Sequence, residues 1–297
     1  MSEEAFAVID DRLEEYRSTL FELLRIPGVS ATGDRLEETA DAVEDILDRC
    51  GFDTTQIDTT GAPIVYGEVG VDPDRPTILF YGHYDVQPAG DPQEWDSPPF
   101  DPTIRDGSIV ARGAGDNKGQ VLAHAFAVDA LEESMGELPV GVKVIVEGEE
   151  ESGSGGLRSY LADEPERLAC DLIYVSDGPM HRSRRPTLIY GNRGILAFEL
   201  TIEAATTDLH SGNFGGPVPN AGNRMVSLVA SMVGPDGEIR LDGVADDVSV
   251  TEAMRAAARA IPVDAEGLKA DVGIDAFTVP DEDYYERLLV TPNASVN

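Results

Sequence analysis

Basic residues are scarce in this chain: 22 Lys and Arg stand against 56 Asp and Glu in 297 residues, for a formal net charge of −34. That balance excludes a nucleic-acid backbone as the natural partner, because phosphate binding needs clustered Lys and Arg. Lysine is rarer still, confined to Lys118, Lys143 and Lys269. So acidic a surface repels itself in dilute buffer, whereas concentrated salt shrinks the screening distance to roughly 3 Å at 1 M. A salt-adapted, halophilic, cytoplasmic protein is expected. Cysteine is limited to Cys50 and Cys170, outside any C-x-x-C spacing. This excludes a disulfide framework and a thiolate metal site, and leaves buried free thiols as the expectation. No uninterrupted apolar run approaches the roughly 20 residues that span a bilayer, so no membrane is expected as partner. The start, MSEEAFAVIDDRLEEYR, has no basic beginning, apolar core or cleavage site, and is not expected to be a signal peptide. Internal repeats and low-complexity tracts are absent too.

Hydrophobic residues make up 41% of the chain, enough for a packed interior. The length exceeds the usual single core, so one large domain or two smaller ones are expected. Ile9, Leu13, Tyr16, Leu20, Leu23 and Leu24 recur at helical spacing over Ala5–Leu24, and Pro27-Gly28 ends that helix. A second helix spans Arg35–Cys50, with Gly51 at its C-cap. Ile64–Val69, Thr77–Tyr81, Val140–Val146 and Asp171–Ser176 read as strands, the last three apolar enough to be buried on both faces. Between them lie a hairpin turn at Asp106-Gly107, an Ala-rich helix over Val121–Leu131 and a short helix over Gly156–Ala162. The alternation of strand and helix predicts an α/β fold with a mostly parallel sheet and flanking helices.

The pattern changes after Arg185-Pro186. Gly194–Ala204 alternates like an antiparallel strand with one buried face, and Asn223–Met232 reads as a helix. A boundary near residue 190 is expected, giving a first domain over 1–190 and a smaller α+β domain over 191–297.

Chemistry concentrates in Ile78–Gln120. His83 and Asp85 form a His-x-Asp pair where an apolar run ends, and Asp116 sits in the glycine-rich turn RGAGDNKG. Imidazole and carboxylate are zinc's usual ligands where thiolates are lacking. In an open α/β sheet, ligands gather beyond the carboxyl ends of the strands. His83, Glu150, Glu151 and Asp177 all fall at such ends. In so acidic a chain an EEE run is ordinarily a solvated face, but Glu149–Glu151 lies between a buried strand and SGSGG. His124, in the Ala-rich helix, and His181, in a basic loop, read as structural or surface residues, Glu147 and Glu149 as surface or supporting ones, and Trp95 as a packed loop residue.

GHYDVQP, WDSPPF, RGAGDNKGQ, EGEEESGSGG, YVSDGPM and DLHSGNFGG occur in this order. Together they resemble the M20 family of metallopeptidases, and most closely its dipeptidase branch, with carnosinase-like and cysteinylglycine-type members. The resemblance implies a zinc-exopeptidase-like catalytic domain and a lid that also serves dimerisation. It also implies two divalent metals, usually zinc, sometimes manganese or cobalt. By position, His83 and Asp177 would hold one metal, Asp116 would bridge both and Glu151 would hold the second. Asp85 matches the acid that orients the imidazole, and Glu150 the general base that takes a proton from the attacking water. His210, in DLHSG, matches a histidine that stabilises the oxyanion and is often supplied by the partner subunit of a homodimer. A cis peptide is implied after the bridging acid, at Asp116-Asn117.

One part of the family pattern is missing. Members carry a further metal-binding histidine near the C-terminus and a lid arginine that grips the substrate carboxylate. Here the histidines are His83, His124, His181 and His210, and the sequence stops at TPNASVN. The expectation is a C-terminally truncated member whose catalytic domain lacks its return segment and whose lid is partial. Its reaction would be metal-dependent hydrolysis of a dipeptide, at the amide bond next to a free carboxylate. The alternatives are an N-acyl-amino-acid deacylase of the same family and a non-catalytic metal-binding remnant.

Overall fold

The computed structural model describes residues 2–246 and 248–296, which separate into two compact units, 1–179 and 180–297. In the first unit, helices α1 (Ser2–Leu24) and α2 (Leu36–Arg49) follow the apolar stripes read from the sequence. Cys50 closes α2, and Gly51 follows with φ 90°, a left-handed conformation in which a side chain would be strained.

Strands β1 (Asp53–Ile57), β2 (Ile64–Val69) and β3 (Thr77–His83) come next. The short pair β4 (Thr103–Arg105) and β5 (Ser108–Val110) follows, turned by Asp106 and Gly107, both with positive φ. Two positive φ values in a two-residue loop suit the right-handed twist of a hairpin. Helix α3 (Lys118–Met135), strand β6 (Gly141–Glu147), helix α4 (Gly155–Asp163) and strand β7 (Leu172–Val175) complete the unit.

The main sheet runs β1-β2-β6-β3-β7. β6, β3 and β7 are mutually parallel, while β2 joins β6, and β1 joins β2, in antiparallel fashion. This is the expected α/β architecture with a parallel heart. β6 shows why it layers as it does. Val142, Val144 and Val146 pack on one face with Val43 and Leu47 of α2 and Val121 and Leu122 of α3, while Ile145 packs on the other with Tyr66, Leu79 and Leu157. Alternation with period two therefore feeds two apolar layers at once, and each fully buried Val, Leu or Ile contributes about 1.5–3 kcal/mol.

Three local expectations need correction. His83 lies inside β3 as its last residue, not beyond its end, because its backbone still pairs with Glu147 of β6. β7 is not buried, since it forms an edge of the sheet and all four of its residues are exposed. The segment 194–204 forms no strand. Its alternating apolar residues find no pairing partner among the described residues, and Ile195 is 95% exposed.

The second unit is helical where it is regular: α5 (Ser211–Phe214), α6 (Ala221–Met232), α7 (Glu252–Arg259), α8 (Ala265–Val272) and α9 (Tyr284–Leu289). Side-chain caps start four of them, three from Asn, Thr or Asp. Asn220 accepts from the Asn223 N–H at 2.9 Å, Thr251 from Met254 at 3.2 Å and Asp264 from Gly267 at 3.1 Å. Such caps satisfy amides that the first turn leaves unpaired. Among the described residues no helix is long and apolar enough to cross a membrane.

Candidate metal centre

The parallel strands deliver their carboxyl ends to one rim. β3 ends in His83, and β7 is followed by Ser176 and Asp177. Asp116 arrives from the turn that opens α3. The side chains of His83, Asp116 and Asp177 form a cluster whose potential ligand atoms lie within 4.8 Å of one another, and it is the sole such group among the described residues. His83 Nε2 stands 3.1 Å from Asp116 Oδ1 and 3.5 Å from Asp177 Oδ2.

The other ring nitrogen fixes the chemistry of this one. His83 Nδ1 lies 3.0 Å from the Asp85 carbonyl and 3.3 Å from Asp85 Oδ1. Both partners are acceptors, so the Nδ1 proton belongs there, and in the neutral ring Nε2 is a bare lone pair. That lone pair is buried without a hydrogen-bond partner, facing two carboxylates. A nitrogen lone pair held against anionic oxygens is repelled unless a cation or a proton stands between them. The titration behaviour of the ring follows. Burial disfavours its charge, but Asp85, Asp177 and Glu150 outweigh burial and push the ring up to about 9. The same negative field draws a metal ion, so the donor set fits a divalent cation with nitrogen and oxygen ligands.

Asp85 does more than hold the ring. It is fully buried, and its Oδ1 and Oδ2 accept from the backbone N–H groups of Glu150 and Glu151 at 3.2 and 3.1 Å. One carboxylate therefore ties His83 to the loop carrying both glutamates. The Glu150 carboxyl is pushed up by burial, with Glu151, Asp177 and Asp85 adding to the shift and His83 opposing it. The Glu151 carboxylate lies outside the three-residue cluster and accepts from Gln87 Nε2 at 2.9 Å.

Asn117 and Lys118 escaped the sequence reading as supports, whereas Glu147 was read as a surface or supporting residue and proves to be a buried support. Asn117 is buried and accepts the His83 N–H through Oδ1 at 3.3 Å. It presses so closely on β3 that a Cβ at Gly82 would sit 2.7 Å from that oxygen and 2.4 Å from Val121 Cγ2. The peptide joining Asp116 and Asn117 is cis. Lys118 is 1% exposed, and its Nζ donates to the carbonyls of Ile26 at 2.6 Å and Pro27 at 3.2 Å, anchoring the turn to the end of α1. Burial pulls its pKa down to about 7, with Asp85 partly opposing. Glu147, also 1% exposed, accepts from Tyr81 Oη at 2.8 Å and Ser154 Oγ at 2.9 Å, linking β3 to the glutamate loop. The lone signal for these residues was their place inside GDNKG and EGEEE.

Elsewhere, Cys50 is buried and its thiol is pushed up to about 12, chiefly by burial, as an inert core thiol should be. Trp95 packs under Arg112, its Nε1 donating to the Ala89 carbonyl at 2.8 Å. His210 belongs to the second unit, where it caps α5 by accepting the Gly212 N–H on Nδ1 at 3.1 Å. That tautomer leaves Nε2 as the donor.

Known proteins share these segments. Peptidase family M20/M25/M40 matches residues 79–286. The Cys-Gly metallodipeptidase of Schizosaccharomyces pombe is 33% identical over 293 residues, covering 93% of this chain and 62% of its own length. The Beta-Ala-His dipeptidase of Homo sapiens is 37% identical over 218 residues, covering 72% of this chain and 43% of its own length. Among solved structures, human carnosine dipeptidase 1 superposes with a TM-score of 0.83 at 31% identity, covering 99% of this chain and 66% of that one. An M20 family metallo-carboxypeptidase from Sulfolobus solfataricus gives 0.83 at 35% identity, covering 94% and 64%. The chain spans less than two thirds of the length of each of these relatives.

Proposed function

The chain belongs to peptidase family M20/M25/M40, and from that premise we propose that it carries the metal-binding catalytic part of a dipeptidase in its first unit and part of a lid in its second. The reaction is hydrolysis of a dipeptide at the amide bond beside the free carboxylate. The observation that carries this reading is the buried, unpartnered His83 Nε2 facing Asp116 and Asp177. The curated relatives described above are named as dipeptidases, which favours a dipeptide over an N-acyl amino acid.

His83, Asp116 and Asp177 would hold a divalent ion, zinc first and manganese or cobalt as alternatives, with Asp116 and Glu151 reaching a second. When bound, such ions acidify water and polarise an amide carbonyl. The remaining work belongs to the protein. Asp85 keeps the His83 proton on Nδ1 and holds the Glu150–Glu151 backbone in place. Glu150, its carboxyl shifted upward by burial, takes the proton of the attacking water and delivers it to the leaving amine. His210, with its proton on Nε2, would donate to the developing oxyanion when the lid of a homodimer closes.

The test is hydrolysis of Cys-Gly and β-Ala-His by the chain loaded with Zn2+ or Mn2+. Chelation is expected to stop turnover, and Glu150→Gln to lower kcat about 10²–10⁴-fold while metal content stays the same. Turnover indifferent to chelator or to Glu150→Gln contradicts the proposal. Binding of one metal with no turnover in any salt favours the remnant.

A further inference from the structure

An aromatic group lies beneath the candidate centre. Phe80 and Tyr174 are register partners on the parallel strands β3 and β7; Phe80 lies three residues before His83, which ends β3, and Tyr174 three residues before Asp177, which follows the end of β7. Between them comes His124 from α3, the helix that opens directly after Asp116 and Asn117. Its ring stacks on Phe80 at 4.4 Å and 18°, and meets Tyr174 edge-on at 5.4 Å and 84°. Phe80 and Tyr174 close the triangle at 5.7 Å. His124 Nε2 then lies 2.9 Å from Ser176 Oγ, on the residue that joins β7 to Asp177.

We infer that His124 is a positioning residue for the metal centre, which it serves by gripping Ser176 and so fixing the backbone from which Asp177 projects. The need for such a tether comes from the sheet. β7 is an edge strand, paired on one side with β3 and exposed along its length, so its end has few neighbours to hold it. A carboxylate that must meet His83 and Asp116 within a few tenths of an ångström needs more than strand pairing. The ring stack supplies the lateral restraint, and the hydrogen bond supplies the direction. Burial pulls His124 down to about 4, so at neutral pH the imidazole is uncharged, and the serine hydroxyl can rotate to match whichever tautomer it meets.

This inference rests on reading His83, Asp116 and Asp177 as the metal-holding group, and the experiment separates the two. Zn2+ affinity of the 297-residue chain is measured by competition with a chromophoric chelator, alongside the melting temperature of the metal-free chain and the visible spectrum of the Co2+ form. His124→Phe keeps the stack and removes the hydrogen bond, Ser176→Ala removes its other half, and His83→Ala tests the centre itself. The expected result is a loss of Zn2+ affinity of about tenfold in each of the first two variants, at the low end of what supporting partners usually carry. The double variant should lose no more than either alone, the Co2+ bands should shift, and the metal-free melting temperature should hold. Unchanged affinity in Ser176→Ala overturns the inference even if His124→Phe fails to fold. Affinity lost in His83→Ala but unchanged in His124→Phe and Ser176→Ala overturns the tether and leaves the centre standing. Unchanged affinity in His83→Ala overturns both.

Discussion

The two compact units spend similar apolar patterning on different ends. In the first, Leu47, Val65 and Val146 are fully buried, and the core reaches through both faces of the sheet. In the second, Ala258 and Tyr285 are the buried hydrophobic residues among those described. Tyr190, Ile195 and Leu196 stand 96%, 95% and 83% exposed. Much of its order comes from ion pairs and caps, with Arg255 and Arg259 on Glu286, Lys269 on Asp281 at 2.9 Å, and Arg182 on Asp264 and Asp271. The contrast shows that a hydrophobic pattern specifies which face wants cover, whereas stability comes from the surface that supplies the cover. Exposed ion pairs contribute on the order of 0–1 kcal/mol each, well below what a buried leucine contributes.

The sharpest way to break this contrast is a pair of truncations. Leu47→Ala should cost about 2–5 kcal/mol in denaturant unfolding, because it leaves a cavity in the first unit's core. Equal costs for Leu47→Ala and for truncation of an exposed residue such as Ile195 would contradict it. Acid unfolding comes next. The folded pKa of His124, about 4, lies below its ordinary value of 6.5, so between those values the unfolded chain binds more protons than the folded one. Stability contributed by the neutral ring is complete above about pH 6.5 and is lost as the pH falls toward 4. The loss is on the order of 2 kcal/mol after allowance for partial exposure. It should be smaller in His124→Phe, as pH-dependent unfolding of the two proteins would reveal. Salt should act on the whole chain. Screening relieves the self-repulsion of a net charge of −34, so the melting midpoint should climb between dilute and molar KCl, and a flat midpoint would contradict salt adaptation. The smallest effect is expected from Ile195→Ala, within about 0.5 kcal/mol of the parent.

Much of the first unit was legible because each element repeats a simple period between clear stops. β2 has the bounds read from the sequence, and β6 and α4 lie within a residue of theirs. The rule that ligands gather beyond parallel strand ends brought together His83, near the middle of the unit's sequence, and Asp177, near its end, and the GDNKG turn added Asp116. β1 was missed because DTTQI is mostly polar and gains its strand character from pairing with β2. β7 was misjudged because an apolar run reports composition, while its place at the sheet edge is set by topology. The segment 194–204 has the right alternation, but a strand also needs a partner. Lys118 and His124 were illegible as supports for a different reason. Their partners are carbonyls, hydroxyls and rings distant in the sequence, and no local spacing encodes such contacts.

The centre itself is open to direct observation by anomalous diffraction at the zinc edge, from crystals of the chain grown with Zn2+. The expected result is a peak between His83 Nε2 and the carboxylates of Asp116 and Asp177, vanishing in His83→Ala. A map with no peak there, or with the same peak in the variant, would contradict the assignment of these residues to a metal.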